Sequence, residues 1–363
     1  RIKTQASSIR NMKKYYTRAC NFFYGSISKK LIKKKLSLPL CGDTSISFNQ
    51  IEIITRDKKK INSKIIDIRN INKLPLEIRK RISIDIKKIT AKRDFLKKKN
   101  HLIMGVLNMT PDSFSDGGKY NSLKKACQRI KNMVNAGADI IDIGGESTRP
   151  GSKIISQKKE LQRVTNIIEK FKKKFPKTLL SIDTRKSLVM NFSINNKADI
   201  INDVSCFKFD PKSFDTIKDK NLWKIIHHMQ GTPQTMQINP SYKNVLLDIY
   251  DFFEKEIEKF KKTKNKRKLI LDPGIGFGKK LKHNLIILNK ISLFHSLGFP
   301  ILLGTSRKKF INQISGKHDT KERIGGTLSS VIFSFSQGIK IFRVHNVEEV
   351  KQGLLVFETL LNK

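Results

Sequence analysis

Acidic side chains are scarce in this chain. Only 31 Asp and Glu stand against 74 Lys and Arg over 363 residues, a formal net charge of +43. The shortage is sharpest at the front: residues 1–100 hold 28 basic residues against 7 acidic, and the rest of the chain 46 against 24. A basic excess raises nucleic acid or an anionic membrane as partners. Lys, Ile and Asn are nevertheless used heavily throughout, even where no site is near. The charge therefore reads as composition bias, and nucleic acid is not expected as a partner. Cysteine is scarce too. Cys20, Cys41, Cys127 and Cys206 form no pair with metal-ligand or redox spacing, which excludes a zinc module or a CxxC centre. Free thiols in a reducing compartment are expected. No apolar run reaches 18 residues, so no membrane-spanning helix is expected. No acidic residue precedes Asp43, and the segment before it is rich in Lys, Arg and Ser. That meets part of the description of a transit peptide, although composition bias accounts for it equally well. The expected location is the cytoplasm, with an organelle as the alternative. The chain opens at Arg1 rather than Met, which leaves room for a segment ahead of it.

What the chain does have is repetition. From residue 102 onward short apolar runs recur, and each stops at a polar or charged residue. Run 102–107 ends at Asn108, and 140–143 leads into Gly144, Gly145 and Glu146. Run 179–182 ends at Asp183, and 199–201 at Asn202 and Asp203. Run 224–226 ends at His227 and His228, and 269–271 at Asp272. Run 301–303 leads to Gly304, Ser306, Arg307 and Lys308, and 339–344 carries Arg343 and ends at His345. Runs this short and this apolar fit strands buried on both faces of a parallel sheet. Helical periodicity fills the gaps. Residues 245–262 place Leu246, Ile249, Phe253, Ile257 and Phe260 on one stripe, with acids early and lysines late to suit the helix dipole. Residues 322–337 and 347–361 read as the last two helices. Eight strand–helix alternations predict an α/β fold, a (β/α)8 TIM barrel over residues 101–363, with its chemistry at the C-terminal strand ends.

Residues 1–100 form a basic N-terminal extension. A weakly amphipathic pattern surrounds Tyr15, Tyr16, Phe22, Phe23 and Tyr24 within 1–35, and residues 45–56 alternate as a strand does. Residues 81–89 alternate in part. A small α/β unit, or a decoration packed on the barrel, is therefore expected. The extension has no glycine-rich phosphate loop and no catalytic cluster, so its role is read as structural or regulatory. The charged stretch 92–100 reads as the junction.

Two groups at the strand ends carry chemistry. Asp183, Asn202, Asp272 and Lys308 would face the barrel mouth. Two carboxylates, an amide and an ammonium suit a flat heterocycle with alternating donors and acceptors. A lone Asp there would as readily bond backbone; four such groups on one rim point to a ligand. Asn108, Arg149, Arg343 and His345 form the second group. Arginines and a histidine on one rim suit a phosphate or diphosphate, and Asn108 offers an oxygen to Mg2+, which keeps waters and substrate phosphates as its other ligands. Taken singly, His345 could be a core histidine and Arg149 a solvated loop charge. The loop amides after Ser306 could also face an anion. The polar loop 110–121 carries Phe114 between Pro111 and the pair Gly117, Gly118, a lid able to exclude water.

The loops Asn108-Met-Thr-Pro-Asp-Ser-Phe-Ser-Asp-Gly-Gly118 and Asp142-Ile-Gly-Gly-Glu-Ser-Thr-Arg-Pro-Gly151 closely resemble the two signature loops of the dihydropteroate synthase family. Ser181-Ile-Asp-Thr184, Ile201-Asn-Asp203, His228-Met-Gln-Gly231, Asp272-Pro-Gly-Ile-Gly-Phe-Gly-Lys279, Ser306-Arg-Lys308 and Arg343-Val-His345 follow in the family's order. The resemblance covers roughly residues 101–363. It implies condensation of 6-hydroxymethyl-7,8-dihydropterin diphosphate with 4-aminobenzoate, giving 7,8-dihydropteroate and diphosphate. It implies that Asp183, Asn202, Asp272 and Lys308 hold the pterin, with Met229 and Phe277 against its ring. Asn108 would help bind Mg2+ and diphosphate, with Arg149, Arg343 and His345 on the anion. Phe114, Thr148, Pro150 and Lys308 would line the aminobenzoate and sulfonamide pocket, and Asp116 would help stabilise a cationic intermediate. A homodimer through barrel helices is implied as well. Asn346 departs from the pattern, which commonly has Asp after the histidine.

Two other readings compete. A pterin-binding methyltransferase working with a corrinoid protein shares the barrel and the Asp/Asn groups. It needs neither the 112–118 loop, nor Ser147-Thr-Arg-Pro150, nor Arg343 and His345, because no diphosphate leaves. A non-enzymatic scaffold binding RNA through residues 1–100 is the third reading.

Overall fold

The computed structural model describes residues 13–58, 60–96, 99–110, 119–149 and 151–361. Its first part is a four-stranded antiparallel sheet: β1 (Lys14–Tyr24), β2 (Leu38–Leu40), β3 (Asp43–Asp57) and β4 (Lys60–Asp67). The long strand β3 is central. It pairs with β1 along one edge and with β2 and β4 along the other. Ile51 and Ile53 on one face pack with Ile82 and Ile89 of the helix Leu76–Thr90. Glu52 and Ile54, one residue out of phase, turn to the barrel, as period-two strand geometry requires.

Two expectations for this region change. The aromatic pattern around Tyr15 and Phe22 is a strand followed by the helix Gly25–Lys33. Residues 81–89 lie within a helix. Ile82, Asp85 and Ile89 are its buried residues, while Ile84 is 53% exposed. Spacings of three and four therefore fit this segment and an alternation does not.

The rest is a (β/α)8 barrel. Its strands are β5 (Leu102–Asn108), β6 (Ile140–Gly144), β7 (Leu179–Asp183), β8 (Ile200–Asp203), β9 (Trp223–His227), β10 (Leu269–Asp272), β11 (Leu302–Leu303) and β12 (Ile341–Val344). They pair in parallel in the order β10-β9-β8-β7-β6-β5-β12-β11. The ring closes where Leu271 bridges to Ile301 and its N–H donates to the Pro300 carbonyl at 2.9 Å. Leu102, Met104, Ile140, Ile200, Ile225, Ile270, Leu302 and Ile341 fill the lower interior. Phe95 closes it from below, edge-on to Trp223 with ring centroids 4.6 Å apart. The charged junction thus carries an apolar plug.

The helix Val245–Phe260 shows why the two parts form one body. Asn244 caps it by accepting from the Leu247 N–H, a contact worth about 1 kcal/mol. Leu246, Ile249, Tyr250, Phe253, Ile257 and Phe260 are all buried, more than a single barrel-facing stripe needs. The extra coverage comes from the extension. Tyr16 packs edge-on to Tyr250 at 5.1 Å and donates its hydroxyl to Asp251 at 3.0 Å. Tyr16 and Ile54 belong to the barrel's own apolar core. Charged pairs ring this patch: Arg56 with Asp248 and Asp251, Lys14 with Asp251 and Glu254, and Lys290 with Glu52. The extension covers this side and the lower end of the barrel, leaving the C-terminal rim open.

Candidate active site

Side chains alternate along a strand, so each inward apolar residue is followed two positions later by another inward one. Ile140 leads to Asp142, Ser181 to Asp183, Ile200 to Asn202, Ile225 to His227, Ile270 to Asp272, and Ile341 to Arg343. The top interior layer is therefore polar, and its members meet. Arg343 Nε donates to Asp142 Oδ2 at 2.7 Å and its terminal nitrogen to Asp183 Oδ2 at 2.9 Å. Asn202 Nδ2 donates to Asp142 Oδ2 at 3.2 Å, and Ser181 to Asp142 Oδ1 at 2.6 Å. His227 Nδ1 lies 3.2 Å from Asp272 Oδ2, while Asp272 Oδ1 accepts the Gly274 N–H at 2.8 Å.

Asp142 was not anticipated from the sequence, yet it anchors Arg343, Asn202 and Ser181 together. A carboxylate at an inward position of an otherwise apolar strand was the available signal. Lys279 was missed as well. Its buried ammonium donates to the carbonyls of Gly274 and Phe277 at 2.9 Å each and meets His228 Nδ1 at 3.0 Å. It ties the glycine loop to β9. Gly274 has φ +67°, and a Cβ there would strike the His228 carbonyl. The loop's shape therefore requires glycine. Behind the rim, Glu146 accepts from Arg185 and Lys186, and Lys186 also reaches Glu160.

Among the described residues several buried polar atoms on this rim have no partner: Asp183 Oδ1, Asn202 Oδ1, His227 Nε2 and Thr305 Oγ1. Each such orphan costs about 1–3 kcal/mol. A cluster of them marks a place where a ligand supplies the missing bonds. Lys308 stands opposite. Its ammonium donates to the Ile275 carbonyl and lies 4.7 Å from the Phe277 ring centroid, and Phe277 meets the His227 ring at 4.5 Å. Phe277 and Met229 are half-buried.

Protonation follows from burial and neighbours. Burial lifts Asp183 to about 8, against the pull of Arg343, with Asp142, Glu160 and Asp203 adding to the rise. Burial also lifts Asp272, but His227, Lys308 and the Gly274 N–H outweigh it and leave the group low. Lys308 is brought down to about 8 by burial, against Asp272. Two carboxyls on one rim are thus driven apart, a pattern common at functional sites.

The second predicted group is more dispersed. Asn108 is half-buried at the end of β5. Arg149 is exposed on the loop after β6, with Thr148 half-buried beside it. His345 Nδ1 lies 3.1 Å from Ser306 Oγ. Burial, then the charges of Arg343, Arg307, Arg129 and Arg149, push His345 down to about 3. The imidazole is therefore neutral in a strongly positive field. The loop amides after Ser306 are committed inside the protein, which corrects the expectation that they face an anion: Arg307 N–H donates to Thr327 Oγ1 and Lys308 N–H to the Thr305 carbonyl. Asn346 Oδ1 accepts twice from Arg307, at 2.9 and 2.6 Å, so the amide does a carboxylate's holding task here. Arg343 joins the two groups, since it binds Asp183 of the first, together with Asp142, and its charge acts on His345 of the second. Phe114, Asp116 and Pro150 lie outside the described residues, as does the loop 111–118.

Magnesium asks for hard oxygen donors and retains water or phosphate ligands. Among the described residues no group of three or more His, Cys, Asp or Glu could cage an ion. The Asn108 oxygen fits an ion held chiefly by a substrate diphosphate.

The comparisons with known proteins agree with this geometry. Residues 104–345 match the family described as "Pterin binding enzyme". The chain is 41% identical to a dihydropteroate synthase of Escherichia coli strain K12 over 261 residues, 72% of this chain and 92% of that one. A Yersinia pestis dihydropteroate synthase structure with a sulfonamide drug superimposes with a TM-score of 0.68 at 39% identity, covering 72% of this chain and 95% of that one. A Xanthomonas albilineans dihydropteroate synthase with 4-aminobenzoic acid gives 0.66 at 33%, covering 72% and 93%.

Proposed function

This chain belongs to the pterin-binding enzymes and, among them, to the dihydropteroate synthases, and on that premise we propose how its barrel mouth runs the reaction. The enzyme condenses 6-hydroxymethyl-7,8-dihydropterin diphosphate with 4-aminobenzoate to give 7,8-dihydropteroate and diphosphate. The observation that carries the assignment of roles is the set of buried atoms on Asp183, Asn202 and His227 that lack a partner among the described residues, on the rim that also holds the Lys308 ammonium over Phe277. Asp183 and Asp272 accept from the amino and N–H edge of the pterin. Asn202 donates and accepts at once, Lys308 donates to a ring acceptor, and Phe277 and Met229 lie against the ring.

Breaking the C–O bond leaves positive charge on the pterin methylene and sends the electron pair with the diphosphate. Arg343, His345 and Arg149 receive that negative charge in a site already positive before the reaction. Asn108 would hold Mg2+ beside the diphosphate, and the ion would neutralise charge on the leaving group. On binding, Asp183 gives up its proton and shares the freed oxygen with the electron-deficient ring. Asp116 would help stabilise the cationic methylene. The 4-aminobenzoate nitrogen then attacks the methylene and gives up a proton. Its low basicity leaves its lone pair free at neutral pH, so no strong base is needed first. Thr148, Phe114, Pro150 and Lys308 would line that second pocket, which is also where a sulfonamide would compete.

The test is Mg2+-dependent formation of dihydropteroate from dihydropterin diphosphate and labelled 4-aminobenzoate. Product is expected, with sulfonamide inhibition competitive against aminobenzoate. Folded protein that makes none would overturn the assignment. A second copy of the chain is the proposed partner. Phe333, Leu355, Val356 and Leu360 are exposed on two outer helices that pack together, and Leu285 and Ile286 on a third; exposed apolar surface of this kind marks an interface. Sedimentation should give a dimer, and a monomer at micromolar concentration would exclude it.

A further inference from the structure

At the lower end of the barrel, far from the rim, the extension places a cysteine in an unusual position. Leu40 pairs with Asp43 across a two-residue turn whose central residues are Cys41 (φ +53°) and Gly42 (φ +73°). A turn with two positive φ values normally takes Asn, Asp or Gly at its first central position. Cysteine there is held against its backbone preference, and such strain gathers at functional positions.

The side chain it presents is engaged. Cys41 Sγ lies 3.3 Å from His295 Nδ1. His295 Nε2 lies 2.9 Å from the Gln337 carbonyl, which can only accept. That nitrogen therefore carries its hydrogen, and Nδ1 is left to take the thiol proton. A nucleophile, a base and an acceptor that orients the base stand in one line, the arrangement by which thiols are activated. Cys41, His295, Arg93, Phe299, Gly338 and Lys340 line a small cleft of about 10 Å³, room for a molecule little larger than water. Arg93 is 4% exposed, and its Nε has no partner among the described residues, although its other nitrogens bond the carbonyls of Lys88, Ala91 and His295.

The geometry points to Cys41 as an oxidant-reactive thiolate site whose substrate class is small hydroperoxides. The thiolate sulfur attacks one peroxide oxygen and the O–O bond breaks. The departing hydroxide takes the proton from the His295 imidazolium and leaves as water. Sulfur is oxidised by two electrons to a sulfenic acid, and the peroxide is reduced by two. Arg93 lines the same cleft, and its Nε–H, without a partner among the described residues, would donate to the new oxygen. The charged groups around the sulfur come from every packed element: His295 from the 3-10 turn Ile291–Leu297, Arg93 from the junction, and Lys340 from the start of β12. Asp43 beside the turn is already paired with Lys340. Burial pushes the thiol up, but His295, Arg93 and Lys340 outweigh it and bring it to about 6. Cys20 and Cys206, by contrast, are pushed up by burial. The reactivity of a cysteine follows its thiolate fraction.

The test treats the full chain with hydrogen peroxide and traps sulfenic acid with a 1,3-dione, read residue by residue by mass spectrometry across pH 5–9. Cys41 should be labelled at least about ten-fold faster than Cys20 or Cys206 at pH 7, with a midpoint near 6. In His295→Gln the midpoint should rise above 8, and Cys41→Ser should lose the label while keeping synthase activity. Labelling of Cys41 no faster than the buried pair, a midpoint at 8 or above in the parent protein, or labelling only at the rate of global unfolding would each overturn the assignment. The first two of these readouts need no variant to fold.

Discussion

At the barrel mouth Asp183 and Asn202 each keep a buried oxygen without a partner among the described residues, whereas at the seam with the extension Glu52, just as buried, accepts from Arg18 and Lys290 at 2.6 Å each. Both regions draw on the same basic composition. The seam pairs its charges within the protein, so they contribute to joining two layers. The mouth leaves its polar atoms incomplete, so they contribute to folding only at a cost that a ligand offsets. Unsatisfied burial is concentrated at the mouth but not confined to it. Among the described residues Arg93 Nε beside Cys41, Asp85 Oδ1, Ser334 Oγ and Gln337 Oε1 also lack partners away from the rim.

The largest expected effect is at the seam. Tyr16→Ala removes a fully buried ring from the shared core and should cost about 3–5 kcal/mol of stability, read as a lower denaturant midpoint, with kcat/KM unchanged in the protein that remains folded. A fall in kcat/KM of the same size would erase the distinction between the two regions. At the mouth, Asp183→Ala or Lys308→Ala should cost roughly 2–5 kcal/mol of pterin binding, with little change in melting temperature. Turnover near that of the parent would sink the pterin assignment. Glu52→Gln should be milder, about 1–3 kcal/mol of stability for two cations that lose a charged partner, again with catalysis intact.

The smallest effect is also the sharpest. In the free protein Asp183, lifted to about 8 by burial, is mostly protonated at pH 7. A pterin offering N–H donors favours the carboxylate, so pterin binding should release up to about one proton. Diphosphate should do the reverse. His345 is held neutral by burial and four arginines, and an anion that offsets them lets it take up a proton. Calorimetry in two buffers of different ionisation heat would show release for pterin and uptake for diphosphate. Equal signs would break the division of the rim. The stability sign follows from the same shift. Asp183 binds in the folded state a proton that the unfolded chain gives up above about pH 4, so its contribution is full below that pH and is lost as pH rises toward 8.

The sequence by itself determined the eight strands and the polar residue that ends each of them, because a buried parallel strand needs an unbroken apolar run and a barrel places its chemistry where that run stops. It also carried the family's loops in order. Asp142 was hidden because a carboxylate inside an apolar run reads as an interruption until the pleat shows that it points inward beside Arg343. Residues 81–89 misled because Ile84 fits an alternation on paper, and only packing against the sheet shows it exposed. The pairing of Tyr16 with Tyr250, of Glu52 with Lys290 and of Cys41 with His295 joins residues more than 230 positions apart. Local propensity holds no information at that range; the docking of the sheet on the barrel decided it.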